Sequence, residues 1–261
     1  MRDRPTTTPR RARPQRPAAP SAAGPSPSPD GDSTAALLQQ VYRRLYHAYG
    51  PQHWWPGDGG PLEVCVGAIL TQACAWGNVE RALANLKGAG VLSARGLRDV
   101  PLEELARLLY PCGYFNVKAR KVKAFVAHLW ERHGGEVRRL LAQPPERLRQ
   151  ELLAVYGIGE ETADDILLYA AGHPSFVVDA YTRRVLARLG VTPDGQRYAH
   201  YQELFHRHLP RDAALFNEYH ALLVRLGKDV CRKEPRCPQC PLLPLCPTGQ
   251  GRAPRAAPPT P

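Results

Sequence analysis

Four thiols crowd the C-terminal end of this chain, where Cys231, Cys237, Cys240 and Cys246 form a C-x5-C-x2-C-x5-C array. Prolines at Pro235, Pro238, Pro241 and Pro244 force the intervening backbone into a tight irregular loop, so the four sulfurs can converge on one centre. Thiolate ligands select zinc or an iron-sulfur cluster over hard cations. Two disulfides would use the same residues. Against them, the remaining cysteines, Cys65, Cys74 and Cys112, lie in helix-like stretches and no apolar signal segment opens the sequence, a usage that fits a reducing compartment. Spacing alone does not separate zinc from a cluster.

A second constellation lies about seventy residues upstream, at Tyr156-Gly157-Ile158-Gly159. Glu146 to Val155 reads as one helix and Glu160 to Ala170 as another, with this tetrapeptide as the turn between them. Two glycines two apart permit positive φ and let backbone amides approach an anion closely, beside the positive end of the second helix. Such a helix-hairpin-helix can hold a phosphate backbone without reading bases. An ordinary pair of helices joined by a glycine cap has the same pattern. Further along, the apolar run Phe176-Val177-Val178 leads into Asp179, which is placed to cap a helix from Ala180 to Leu189.

The elements that must position these residues are helical. Apolar residues recur at helical spacing, as in Leu37, Leu38, Val41 and Leu45 or Leu102, Leu105, Leu108 and Leu109, and breaks fall at Gly57 to Pro61, Gly88 to Gly90, Gly134-Gly135, Pro144-Pro145 and Pro193 to Gly195. No strand-period run and no βαβ alternation is present, so the expected class is all-α. The 261 residues carry a net charge of +11 and a pI near 9.5, which favours a polyanionic partner, nucleic acid first. Much of that charge is arginine within an Ala-, Pro- and Arg-rich composition, so charge permits this partner without identifying it. No apolar stretch is long enough to span a bilayer. Residues 1–32 are expected to be a disordered basic arm and residues 247–261 a Pro-rich tail.

Four passages, in order, resemble the endonuclease III-like DNA glycosylases of the helix-hairpin-helix superfamily. They are LTQACAW (Leu70 to Trp76), CGYFNVKARK (Cys112 to Lys121), VYGIGEETA (Val155 to Ala163) with VVDAYTRRV (Val177 to Val185), and the cysteine array. The resemblance spans about Pro61 to Cys246. It implies a two-lobed helical fold: a barrel over residues 61–173 that carries the hairpin, and a lobe built from residues 33–60 plus 174–246 with a four-cysteine loop holding a [4Fe-4S] cluster, zinc being the alternative. It also implies double-stranded DNA with a damaged base as partner, a monomer, and a cytoplasmic, nucleoid-associated location, or a nuclear one in a eukaryote.

Carried over residue by residue, the resemblance makes Asp179 the catalytic carboxylate, stabilising the oxocarbenium-like sugar left when a base departs. Bifunctional members hold a nucleophilic lysine two residues after the second hairpin glycine. Here that place holds Glu161, which cannot form a Schiff base, so a monofunctional enzyme is expected, with Glu161 lining the pocket. The spacing between the first two cysteines is five residues where six is usual. Arg232, Lys233 and Arg236 in that loop, with Gly157, Ile158 and Gly159 of the hairpin, would contact phosphates. Gln72 would fill the space a flipped base vacates, Tyr114 would wedge beside it, and Lys118, Arg120 and Lys121 would lie near the backbone, although a basic helix face is also a plain solvated surface. The pair Trp54-Trp55, with the passage Thr71 to Lys87, is similar to the 3-methyladenine-specific subgroup, where flat rings suit a cationic alkylated purine. Paired tryptophans before a helix also serve as core. Two alternative activities fit the same motifs: an oxidised-pyrimidine glycosylase with abasic-site lyase activity, and a DNA-damage-binding protein without turnover.

Overall fold

The computed structural model describes residues 29–55 and 60–251, and among these the chain is helical with no β-strand. The first helix, α1 (Pro29–Tyr49), begins at Pro29, earlier than the expected start at residue 33. The rest of the basic arm, residues 1–28, lies outside the described residues, as do the break at residues 56–59 and the tail from residue 252. At the other end, order continues to Gly251 rather than stopping at Cys246, because the Gln250 side chain donates to the Leu243 carbonyl at 2.8 Å and folds residues 248–250 back onto the cysteine loop.

Among the described residues eleven α-helices follow α1: α2 (Gly60–Leu70), α3 (Trp76–Gly88), α4 (Ala94–Asp99), α5 (Leu102–Leu108), α6 (Phe115–His133), α7 (Val137–Leu141), α8 (Pro145–Leu153), α9 (Glu160–Asp165), α10 (Ala180–Leu189), α11 (Tyr198–His208) and α12 (Ala213–Asp229). Their ends follow local chemistry. Ser93 and Asp212 accept amide hydrogen bonds at the starts of α4 and α12, Pro145 opens α8 where its missing N–H costs nothing, and Gly134 and Gly190 close α6 and α10 in the left-handed conformation. Helix α9 continues through a wider π turn, Ile166–Ala170, where the sequence pattern suggests one uniform helix.

Two hydrophobic cores form. One joins α2 through α9, with Ile69, Leu70, Leu105, Phe125 and Ile166 fully buried. The other joins α1 and α10 through α12 to the segment Phe176–Val178. Its centre is aromatic: Phe176 stacks on Phe205 with ring centroids 3.6 Å apart and meets Phe216 edge-on at 5.3 Å, while the buried Tyr219 hydroxyl donates to the Leu38 carbonyl at 2.8 Å. Burial of each such side chain contributes roughly 1.5–3 kcal/mol, which is why α1, far away in sequence, is held against α12. Gly227 on α12 lets the Tyr181 ring of α10 come close, since a Cβ there would lie 2.5 Å from Tyr181 Cδ1.

Polar ties fix the hairpin helices. Arg149 on α8 makes a two-pronged ion pair with the fully buried Asp164 on α9, both distances 3.0 Å, and Ser175 donates to the same carboxylate at 2.7 Å. On another side of α8, Glu151 accepts from His133 at 2.5 Å, from His128 at 2.7 Å and, on its other oxygen, from Gln143 at 2.7 Å, bracing α8 against the end of α6. Burial pushes the Glu151 carboxyl up, but these hydrogen bonds outweigh it and hold the group down at about 2.

Candidate functional site

The segment before α10 is extended and buried, so its amides have no helical partners and take side chains instead. The Phe176 N–H donates to His206 Nε2 at 3.0 Å, the Val178 N–H meets the Tyr198 hydroxyl at 3.3 Å, and Gln202 donates to the Phe176 carbonyl at 2.9 Å. Burial first, then the nearby Arg211 charge, pushes His206 down to about 4, leaving it neutral and able to accept. This rigid lead-in delivers Asp179, whose Oδ1 accepts the Thr182 N–H at 2.7 Å as the cap of α10. The capping role expected from sequence is therefore real.

Asp179 is one of three carboxyl groups gathered here. Glu161, at the start of α9, and Asp165, one turn on, both lie within electrostatic reach of it. Desolvation, followed by the charge of Asp179, pushes Glu161 up; desolvation, followed by Glu161 and Asp179, pushes the buried Asp165 well up. Asp179 goes the other way. Burial pushes it up, but His220 and the Thr182 N–H together hold it below the ordinary carboxylate value. His220 Nε2 stands 3.8 Å from Asp179 Oδ2, and its Nδ1 is 2.5 Å from the Tyr169 hydroxyl.

Tyr169 links this polar group to an aromatic one. Its ring lies 5.6 Å from Trp55, which meets Trp76 edge-on at 4.9 Å, and Trp76 meets Trp54 at 4.6 Å. Trp55 is seated against α2 because Gly67 has no side chain: a Cβ there would stand 2.5 Å from Trp55 Cζ2. The Trp55 indole nitrogen is buried without a hydrogen-bond partner among the described residues. Sequence reasoning named Trp54, Trp55, Glu161 and Asp179 but missed Trp76, Tyr169, Asp165 and His220. Trp76 carried a signal as the end of the quoted passage Leu70 to Trp76, and Asp165 carried one as the carboxylate four residues after Glu161 on the same helix; Tyr169 comes from the π turn and His220 from a distant helix.

The hairpin is built differently from its sequence pattern in one respect. Gly157 takes φ +87°, and a Cβ on it would strike the Lys121 stem, 2.6 Å from Cδ. Gly159 is extended at φ −98°, with nothing near its would-be Cβ, so only the first glycine needs left-handed freedom. The Ile158 side chain is buried and its amide is spent on the Val155 carbonyl at 3.1 Å, which corrects its expected phosphate contact. The amides of Gly157 and Gly159 make no hydrogen bond among the described residues.

Gln72 reaches this turn, donating to the Gly157 carbonyl and to Thr162 Oγ1, both at 2.9 Å, and accepting from Lys121. Beside it Ala73 has φ 49°, and Tyr114 has φ 45° with 76% of its surface exposed. Strained backbone at two neighbouring exposed loops is characteristic of sites that hold a ligand. Arg120 is exposed. Lys118 is not available to a phosphate: it is buried, donating to the carbonyls of Leu70 at 3.0 Å and Cys112 at 2.9 Å, and so ties α2 to the loop before α6.

All four C-terminal cysteines line one cavity with Arg188 and Gly249. Every cysteine is free. The Arg188 guanidinium donates to Cys231 Sγ at 3.2 Å and the Gly249 N–H to Cys246 Sγ at 3.4 Å, contacts that suit sulfurs carrying negative charge. Arg184 and Arg188 also hold the loop through the carbonyls of Cys231, Arg232 and Lys233 at 2.7–3.1 Å, so the shorter first spacing is absorbed without losing a thiol from the set. A four-thiolate metal centre therefore fits these residues. Arg232, Lys233 and Arg236 remain exposed on its outer edge.

A hairpin offering free amides, beside a capped aspartate set between two helical cores, defines the helical DNA glycosylases as a class. Comparison with known proteins agrees: residues 66–211 match the HhH-GPD superfamily of base excision DNA repair proteins, and the chain belongs to that family. A protein of Methanocaldococcus jannaschii described as a DNA repair glycosylase is 42% identical over 202 residues, spanning 77% of this chain and 91% of that one. Among solved structures, a trapped endonuclease III–DNA covalent intermediate superposes with a TM-score of 0.72 at 24% identity, covering 83% of this chain and 97% of that one. The Helicobacter pylori 3-methyladenine DNA glycosylase bound to 1,N6-ethenoadenine gives 0.64 at 24% identity, covering 75% and 97%. The protein is a DNA glycosylase of the endonuclease III-like type.

Proposed function

We propose that this glycosylase is monofunctional and removes alkylated purines such as 3-methyladenine from double-stranded DNA, working as a monomer. The observation that carries this reading is the aromatic group Trp54, Trp55, Trp76 and Tyr169, connected through Tyr169 to His220 and Asp179. A flipped cationic purine gains from such rings, by roughly 0.5–2 kcal/mol for each good cation–π contact. Alkylation at N3 or N7 also leaves the departing base neutral, so the site needs no strong acid to protonate it.

The reaction follows from those groups. The bond from C1′ to the base nitrogen breaks with its electron pair going to the base, and positive charge develops on the sugar. Asp179, held ionised, supplies the carboxylate that stabilises that charge, and water adds to C1′ with its proton passing to Asp179 or solvent. Glu161 offers no amine, so no Schiff base forms and the backbone stays intact at the abasic site. On the duplex, Gln72 and Tyr114 fill and prop the space of the extruded base; the hairpin amides of Gly157 and Gly159, with Lys121, Arg120, Arg232, Lys233 and Arg236, meet phosphates.

The four cysteines would hold a [4Fe-4S] cluster, zinc being the alternative, whose part here is to fold the basic loop. The Helicobacter pylori protein of the same fold acts on 3-methyladenine, which makes methylated DNA the first substrate to try. The test is base release from a methylated duplex, with and without alkali, beside Asp179→Asn. Alkali-dependent breaks that vanish in the variant are expected. Breaks without alkali would make it a lyase, and no release from this duplex would overturn the substrate assignment.

A further inference from the structure

We infer that His220 is a positioning residue for the glycosylase reaction, the middle member of a Tyr169–His220–Asp179 chain that keeps the Asp179 carboxylate oriented and charged inside a carboxyl-rich site. The inference rests on the reading of Asp179 as the reacting carboxylate.

His220 is 6% exposed on α12, in the opposite core from α9, so its ring crosses between the two halves of the site. Its Nδ1 lies 2.5 Å from the Tyr169 hydroxyl, and burial pushes that phenol well up, which keeps it a donor. A phenol O–H directed at Nδ1 leaves the ring proton on Nε2. That nitrogen faces Asp179 Oδ2 at 3.8 Å and has no hydrogen-bond partner among the described residues. A buried N–H without an acceptor is costly, and the carboxylate oxygen is the acceptor within reach. The gap exceeds a hydrogen bond by under about 1 Å, the kind of distance that tightens when substrate completes a site.

The surroundings explain why such a residue is needed. Glu161 and Asp165 on α9 both feel the charge of Asp179, which pushes their carboxyls up, while the Arg183 cation acts on Glu161. On its own helix Thr182 favours the anion, its N–H donating to Oδ1 at 2.7 Å. Asp165 is buried and the Asp179 side chain is only 13% exposed, while Glu161 opens to solvent; two carboxyls so enclosed do not both ionise readily, and without the imidazole a proton would reside partly on Asp179. The π turn is what brings Tyr169 to His220, giving that irregularity a function.

The experiment measures single-turnover base release from methylated duplex against pH for the parent, His220→Asn, His220→Gln, Tyr169→Phe and Asp179→Asn. Duplex affinity and the 13C titration of the Asp179 carboxyl are followed alongside. His220→Asn should lower the rate near pH 7 by roughly 10- to 100-fold with duplex affinity kept within about threefold. Its acid limb and the Asp179 titration should both move up by about one pH unit, so that the loss deepens by up to about a further tenfold on the acid limb. Tyr169→Phe should shift the same way by less. Loss of rate equal at every pH, an unshifted carboxyl titration, or parent-like activity would each overturn the inference. If Asp179→Asn stays active, the functional reading fails instead; if the parent releases nothing, the carboxyl titration still decides the role of His220.

Discussion

Replacing each hairpin glycine by alanine should separate folding from DNA binding. At Gly157 the backbone is at φ +87° and the new methyl would meet the Lys121 stem, 2.6 Å from Cδ. The left-handed conformation costs a non-glycine residue about 1–2 kcal/mol, and displacing Lys121, which also holds Gln72, adds about 1–2 more. Gly157→Ala should thus destabilise by roughly 2–4 kcal/mol, lowering Tm by about 5–15 °C for a domain of this size. Gly159 is extended, with open space around its would-be Cβ. Gly159→Ala should leave Tm within about 3 °C, because the alanine fits and reduces unfolded-chain entropy slightly. Yet its methyl would stand between the free amide and an incoming phosphate. A charge-assisted hydrogen bond is worth about 1.5–3 kcal/mol, so duplex affinity should fall roughly 10- to 100-fold. Thermal melting and fluorescence anisotropy on undamaged duplex measure the two effects. Parent-like affinity in Gly159→Ala would refute backbone capture by the hairpin, and parent-like Tm in Gly157→Ala would refute the packing argument.

Three further outcomes are expected. Borohydride should trap no covalent adduct between the parent and abasic DNA, whereas Glu161→Lys, which puts an amine beside Asp179, should yield a detectable one; a strong adduct from the parent would restore the lyase reading. Cys237→Ser should abolish the visible absorbance of a [4Fe-4S] cluster in anaerobically purified protein and weaken DNA binding through the Arg232, Lys233 and Arg236 loop, while zinc found at one equivalent in colourless parent protein would decide for the alternative. The Glu151 carboxyl lies near 4.5 in an unfolded chain and about 2 when folded, so its brace stabilises above the first value and is lost as pH falls toward the second. The Tm difference between the parent and Glu151→Gln should therefore be largest near neutral pH and shrink below about pH 4.5; a constant difference from pH 7 to pH 3 would show that the brace is not ionic.

The sequence by itself determined the helical class, because residues such as Leu102, Leu105 and Leu109 repeat at the period of one helical face, and that period is local. It also determined the hairpin, the thiol array and the capping aspartate, each a contiguous motif whose chemistry is set by residue type and spacing. What it could not determine was which side chains meet across the two cores. Lys118 shares a basic stretch with Arg120 and Lys121, yet helix α6 turns it inward to two carbonyls, while 3.6 residues per turn sends Arg120 out to solvent. Ile158 sits between two glycines, yet its amide is spent inside the turn. His220 and Tyr169 look like ordinary core positions until α12 and the π turn after α9 bring them together beside Asp179. The tertiary structure alone decided those meetings, because close packing of distant helices, rather than any local preference, fixes which polar atoms are left to find one another in a buried space.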